Sequence, residues 1–200
     1  MINTVIFDIG NVLVSFDWEP SLKSFGFPPE KYEAIANATY RNKDWTETDR
    51  GVLTHEECLA RFISCAPQYA EDIRRVIGAL GDTIRQHSYA KPLIQQLKNN
   101  GCRVYYLSNY SEYGYNVTKD ELDFIPLMDG GVFSYKVKMV KPNPWIFAEL
   151  FRRYDINPAE AVFLDDNADN IEAAKSMGLS TIHFTDYDKA CKELKKLGVL

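Results

Sequence analysis

The sequence predicts an α/β fold, a parallel sheet covered on both faces, with a helical insert between its first and second strands. Three observations carry this. Short, almost wholly apolar runs recur along the chain, as strands buried on both faces require. Each later run follows a stretch whose apolar residues have helical spacing, the alternation that joins parallel strands through crossover helices. The segment from about residue 17 to residue 90 breaks that alternation, offering helical patterns and no convincing strand.

Thr4–Phe7 reads as the first strand, short, β-branched and aromatic, and ended by Asp8 and Gly10. The insert follows, with helical patterns over Ser21–Phe25, Pro29–Tyr40, Thr54–Ala66 and Gln68–Leu80. Thr54-His-Glu-Glu57 has the form of a capping box, in which Thr and Glu satisfy each other's backbone N–H groups. A helix over Lys91–Lys98, stopped by Gly101, leads to the second strand, Arg103–Leu107. The region containing Gly131–Tyr135 and a helix over Pro144–Arg153 lead to a strand at Ala161–Leu164. A helix within Ala168–Met177, stopped by Gly178, leads to Ser180–Phe184.

A chain of 200 residues suffices for one domain, or for one carrying a smaller insert. The net charge of −5, with no block of positive residues, argues against nucleic acid as a partner. Cys58, Cys65, Cys102 and Cys191 lie far apart, which favours reduced thiols over a disulfide framework or a zinc site. Neither a signal peptide nor an apolar run of membrane-spanning length is visible, so the expectation is a cytoplasmic protein, monomeric by default, with no membrane partner.

Ligands of open parallel sheets bind outside the carboxyl ends of the strands. Asp8 stands after the first strand, in VIFDIGNVLV, and Ser108-Asn109 after the second, in LSNYS. Lys141-Pro142 follows the Gly131–Tyr135 region, and Asp165-Asp166 follows the Ala161 strand in VFLDDNADNIEAA, with Asn170 four residues on. Carboxylates can hold Mg²⁺ in an oxygen shell, and a lysine with hydroxyl and amide donors can neutralise a phosphate. One carboxylate can itself be the nucleophile. The set suits phosphoryl transfer.

With these four motifs in this order, the sequence resembles the haloacid dehalogenase (HAD) superfamily of phosphatases and related hydrolases over essentially the whole chain. The D-x-G-N-V form of the first motif, Asp8 to Val12, resembles a glucose-1-phosphatase-like subgroup. The resemblance implies a Rossmann-like core at residues 1–16 and 87–200, with a helical cap at 17–86. It implies Asp8 as nucleophile and Mg²⁺ ligand, Ser108 and the Asn109 amide on the phosphate, and Lys141 offsetting charge on nucleophile and phosphate. Gly10 would offer its backbone carbonyl to the metal. Asp166 would be the main acidic ligand, with Asp165 beside it directly or through water, and Asn170 would orient that shell. A small phosphorylated metabolite, a sugar phosphate first, is the implied substrate.

The sequence departs from the family at Gly10, where most of its phosphatases carry an Asp that protonates the leaving oxygen and later activates water. Either the substrates have easily expelled leaving groups, or the cap supplies an acid, with Asp17 the nearest in sequence. Two other readings stay open: a carbon–halogen hydrolase, which lacks that acid too but needs no metal, and a phospho-ligand sensor with a degenerate site. Asp17, Trp18, Trp45, Tyr110, Tyr113 and Tyr115 are candidate pocket residues, although packing is the plainer reading of each aromatic. His55, His87 and His183 show no ligand spacing and read as structural or surface residues.

Overall fold

A computed structural model describes residues 1–200. Its strands are β1 (Thr4–Phe7), β2 (Val14–Phe16), β3 (Ile84–Gln86), β4 (Arg103–Ser108), β5 (Gly130–Phe133), β6 (Ala161–Asp165) and β7 (Ser180–His183). Five of them form one sheet in the order β5-β4-β1-β6-β7, and every neighbouring pair is parallel. Phe7 stands beside Tyr106 on one side and Leu164 on the other. The chain therefore leaves β1 between β4 and β6, where the strand order reverses and a crevice opens at the carboxyl ends.

The core helices are α6 (Ala90–Asn99), α7 (Glu112–Val117), α8 (Ser134–Val137), α9 (Pro144–Tyr154), α10 (Ala168–Ser176) and α11 (Tyr187–Lys196), and the insert contributes α1 to α5. Successive strand residues face opposite ways. Val5 and Phe7 join a cluster with Leu93, Leu97 and Leu194 of α6 and α11, whereas Ile6 joins Phe147, Leu150 and Ile171 of α9 and α10. Both faces are covered, which is why the strands read as continuous apolar runs.

The insert's helices are α1 (Trp18–Ser24), α2 (Pro29–Ala38), α3 (Trp45–Arg50), α4 (His55–Cys65) and α5 (Ala70–Gly78). They enclose their own core of Leu22, Ile35, Phe62, Ile73 and Val76 among others. The expected Thr54 capping box opens α4, with both reciprocal bonds made. In two places the insert departs from expectation. It is not wholly helical: β3 pairs antiparallel with β2, so the two chain crossings form a short two-stranded stem. Three residues, Ile-Arg-Gln, are too few to show an alternation, and the pairing is set by tertiary closure. Helix α3 is the second departure, because Trp-Thr-Glu-Thr-Asp-Arg offers one large apolar residue and no amphipathic period.

Helix α3 is held against the core through its carboxyl end. Gly51 closes it with φ +67°, and a Cβ there would lie 2.8 Å from Tyr135 Cβ and 2.9 Å from its Cα. The Ser134 hydroxyl donates to the Asp49 carbonyl at 2.6 Å, and Lys138 Nζ donates to the Gly51 carbonyl. Gly51→Ala incurs the left-handed penalty and collides with backbone, so a loss of about 1–3 kcal/mol is expected. At about 2–4 °C per kcal/mol for a chain of this size, thermal melting will read it directly. Melting unchanged from wild type would show that this corner is not a fixed contact.

Candidate active site

Asp8 follows β1 directly, and its N–H donates to the Leu164 carbonyl at 2.8 Å, which fastens it to β6. Its Oδ1 accepts the Ile9 N–H at 2.7 Å, and its Oδ2 lies 3.0 Å from Lys141 Nζ. The same ammonium sits 2.6 Å from Asp165 Oδ2, between the two acids. Lys141 is 2% exposed, Asp165 0% and Asp8 8%, so of these three only Asp8 offers an edge to an incoming molecule.

The two acids of the fourth motif are held differently. Asp165 accepts from the Asn167 N–H, from Asn170 Nδ2 on both oxygens, and from Lys141. Four accepted bonds fill the usual capacity of a carboxylate, so Asp165 acts as the anchor for Lys141 and Asn170. Asp166 is partly exposed, and one oxygen accepts from Asn11 Nδ2 at 2.9 Å. Asp8, Asp165 and Asp166 each present an oxygen, and these oxygens lie within 4.8 Å of one another. Hard oxygen donors this close suit Mg²⁺. The donor set fits the metal, with Asp8 and Asp166 the freer ligands.

Burial pushes the Asp8 carboxyl up to about 7; the Lys141 charge pulls against this, Asp165 adds to it, and hydrogen bonding from Lys141 and Ser108 opposes it. Burial alone would lower the Lys141 ammonium, but Asp8 and Asp165 more than offset it and hold it above its ordinary value. The ammonium stays charged at neutral pH.

Ser108 ends β4 and is 1% exposed. The Asn109 side chain does not face outward as a free donor. Its Oδ1 accepts the Lys141 N–H at 2.8 Å and its Nδ2 donates to the Lys141 carbonyl at 3.0 Å, so it pins the lysine loop to β4. The Asn109 backbone N–H makes no hydrogen bond to another backbone group, and Asn109 borders the cavity over Asp8, which leaves that N–H free for an anion.

Asp8, Asn109, Asp166 and Asn170 border a cavity of about 300 Å³ between core and insert, together with Asp49, Phe16 and Trp45, whereas the buried Ser108, Lys141 and Asp165 are not part of its lining. A second cavity of about 230 Å³, lined by Leu53, His55, Leu59, Phe62 and Tyr113, shares Trp45, Leu80 and Ser111 with the first. Of the candidate pocket residues, Trp45 lines both cavities, Tyr110 the first and Tyr113 the second, stacked on His55 at 3.9 Å. Trp18 instead stacks on Tyr40, and Tyr115 packs beside Phe133. Asp17 is exposed, accepts from the Ser15 hydroxyl at 2.6 Å, and borders neither cavity. His87 stacks on Tyr89, while His183 Nε2 bonds the Asp166 carbonyl.

Three residues at the site were not expected there. Asn11 takes φ +54° and ties the Phe16 N–H to Asp166 through its side chain; the Gly-Asn pair was its signal, since Asn tolerates that conformation. Asn167 caps α10 and bonds Asp165, a capping role legible in Asp-Asn-Ala-Asp. Asp49 had no local signal.

A parallel sheet with a carboxylate cluster at its switch point, under a helical insert, defines a hydrolase built around a strand-end aspartate. The chain belongs to the haloacid dehalogenase-like hydrolases, whose family pattern matches residues 2–178. It is 28% identical over 202 residues to the sesquiterpene phosphatase astK of Aspergillus oryzae, covering 96% of this chain and 94% of that one. It is also 28% identical over 203 residues to the drimenol cyclase drtB of Aspergillus calidoustus, where 98% of this chain spans 37% of the longer protein. A HAD family enzyme of Bacteroides thetaiotaomicron, solved with magnesium and inorganic phosphate, superposes with a TM-score of 0.72 at 21% identity, covering 95% of this chain and 99% of that one. No helix is long and apolar enough to cross a membrane.

Proposed function

We propose that the protein is a Mg²⁺-dependent phosphatase that hydrolyses a small phosphomonoester through an aspartyl-phosphate on Asp8. The observation that carries this is the pairing of a reachable Asp8 carboxylate with a buried Lys141 ammonium at 3.0 Å, in a ring of three acids. Asp8 Oδ2 attacks phosphorus, and Lys141 stays charged beside the nucleophile and the transferring phosphoryl group. Ser108 and the Asn109 N–H hold phosphate oxygens, and Asn170 keeps Asp165 oriented. Asp8, Asp166 and the Gly10 carbonyl would hold Mg²⁺, with Asp165 acting through water because its own bonds are taken. When bound, the metal supplies positive charge to the phosphate oxygens.

The substrate is a small phosphorylated metabolite, with a sugar phosphate as the first reading. The second cavity, whose mixed lining includes Leu53, Leu59, Phe62, Ile77 and Leu80, favours an alternative, a monophosphate with a hydrocarbon body, which agrees with the name of the fungal sesquiterpene phosphatase. Carbon–halogen hydrolysis is the weaker reading, since it leaves the acid cluster without a use.

Release of inorganic phosphate from p-nitrophenyl phosphate, glucose 1-phosphate, glucose 6-phosphate and a prenyl monophosphate, with Mg²⁺ or with EDTA, tests this. Release that falls about 10²-fold or more without the metal is expected, and the ranking decides between the two substrate readings. A folded, Mg²⁺-binding protein that releases no phosphate from any of them would instead be a sensor.

A further inference from the structure

We propose that Asp49, carried by the insert on α3, supplies the acid–base function that Gly10 lacks. This rests on the phosphatase reading above and adds a residue to it.

The cavity over the Asp8 crevice is bordered by three carboxylates: Asp8, Asp166 and Asp49. Asp8 is engaged by Lys141 and Ile9, and Asp166 by Asn11. The Asp49 carboxylate accepts no hydrogen bond and makes no ion pair; only its backbone carbonyl is bonded, to Ser134. No side-chain oxygen of the chain is both sealed and unpartnered, so the unbonded Asp49 carboxylate is open to a molecule in the cavity. It belongs to the insert, whereas Asp8 follows a strand of the sheet, and both border the same cavity.

Its position is built rather than incidental. Gly51 turns the chain two residues later against Tyr135, and the Ser134 and Lys138 bonds fix the same corner to the core. Burial pushes the Asp49 carboxyl up to about 7, with the Asp8 charge raising it further and Lys141 opposing. An acid poised near neutrality can both give and take a proton there. Asp17, the nearest insert acid in sequence, is exposed and borders neither cavity.

The proton balance closes. As Asp8 Oδ2 forms its bond to phosphorus, the bond to the leaving oxygen breaks and its electron pair stays on that oxygen. Protonated Asp49 gives its proton to the oxygen, releasing an alcohol and becoming a carboxylate. Asp49 then takes a proton from water, whose oxygen attacks phosphorus. The bond to Asp8 breaks, its electron pair returns to the Asp8 carboxylate, and inorganic phosphate leaves with Asp49 protonated again.

The test is Asp49→Asn, which keeps the shape and removes no hydrogen bond of the side chain. Turnover of an alkyl monophosphate such as glucose 6-phosphate is compared with the first-turnover burst of p-nitrophenolate from p-nitrophenyl phosphate. The phenolate is a weak base and needs little protonation to leave. Alkyl turnover is expected to fall by about 10²–10⁴-fold while the burst falls far less. Adding Gly10→Asp should restore part of the alkyl activity, because a Cβ at position 10 meets nothing within 4 Å. Equal losses on both substrates, or no loss on either, would overturn the role of Asp49. A wild-type protein with no activity on any phosphate would overturn the phosphatase reading, and this inference with it.

Discussion

Asp8→Asn is expected to lower phosphate release by about 10⁴-fold or more while melting no earlier than the wild type. The activity loss follows from removing a nucleophile that works as a unit with its neighbours. The melting behaviour follows from burial. With its carboxyl pushed from 3.8 up to about 7, Asp8 binds a proton more readily in the folded chain than in the unfolded one. The folded state therefore holds more protons between those two values, and stability falls as pH rises through that window. Asp49 acts in the same direction over the same range. In a chelator-containing buffer the wild type should melt lower at pH 8 than at pH 5. The substituted amide carries no charge at any of these pH values, so the variant should show a shallower fall. Each tenfold change in relative proton affinity is worth about 1.4 kcal/mol, which is several degrees for a chain of this length. Melting curves of both proteins across pH 5–8 check the slope. If the variant melted well below the wild type at pH 8, Asp8 would be holding the fold together, and lost activity would say little about chemistry.

The strands and core helices were legible because their signals are local. Thr4–Phe7 and Ala161–Leu164 are apolar runs that both faces of the sheet bury, and Gly101 and Gly178 take the positive φ that ends a helix. The first and fourth motifs stand at strand ends that the parallel register brings side by side, Phe7 next to Leu164. What stayed hidden is tertiary. The Asn109 side chain clamps Lys141 across a separation of 32 residues, and Gln86 of the stem reaches Glu121 across 35. Asp49 sits in Asp-Trp-Thr-Glu-Thr-Asp-Arg-Gly among acids that look alike in sequence. Only the Gly51 corner against Tyr135 selects it over Asp44 and Glu47, and that corner exists only once the insert has closed on the core. The general lesson is physical: a side chain that completes a site from another layer leaves no periodicity to read.

Lys141→Ala should be the most destabilising single change at the site. Lys141 is the one buried cation of the chain, and removing one partner of a buried pair costs about 3–5 kcal/mol because the other is left charged and unsolvated. Here two partners are left, Asp8 and Asp165, the latter with no exposure at all. At about 2–4 °C per kcal/mol a fall of roughly 10 °C follows. The fall should be larger at pH 8 than at pH 5, because Asp8 loses the charge that draws its carboxyl down toward the ordinary range. Activity should drop by about 10²–10³-fold, the usual loss when one preorganised charge is removed from a developing anion. Mg²⁺ discriminates between this account and simple loss of packing. The acids at positions 8, 165 and 166 hold oxygens within 4.8 Å, so without the ammonium a divalent cation becomes their remaining counter-charge. Millimolar Mg²⁺ should then raise the melting temperature of the variant more than that of the wild type. Equal Mg²⁺ stabilisation of both proteins would mean that Lys141 and the metal do not share one charge balance, and the site would need to be redrawn with the metal elsewhere.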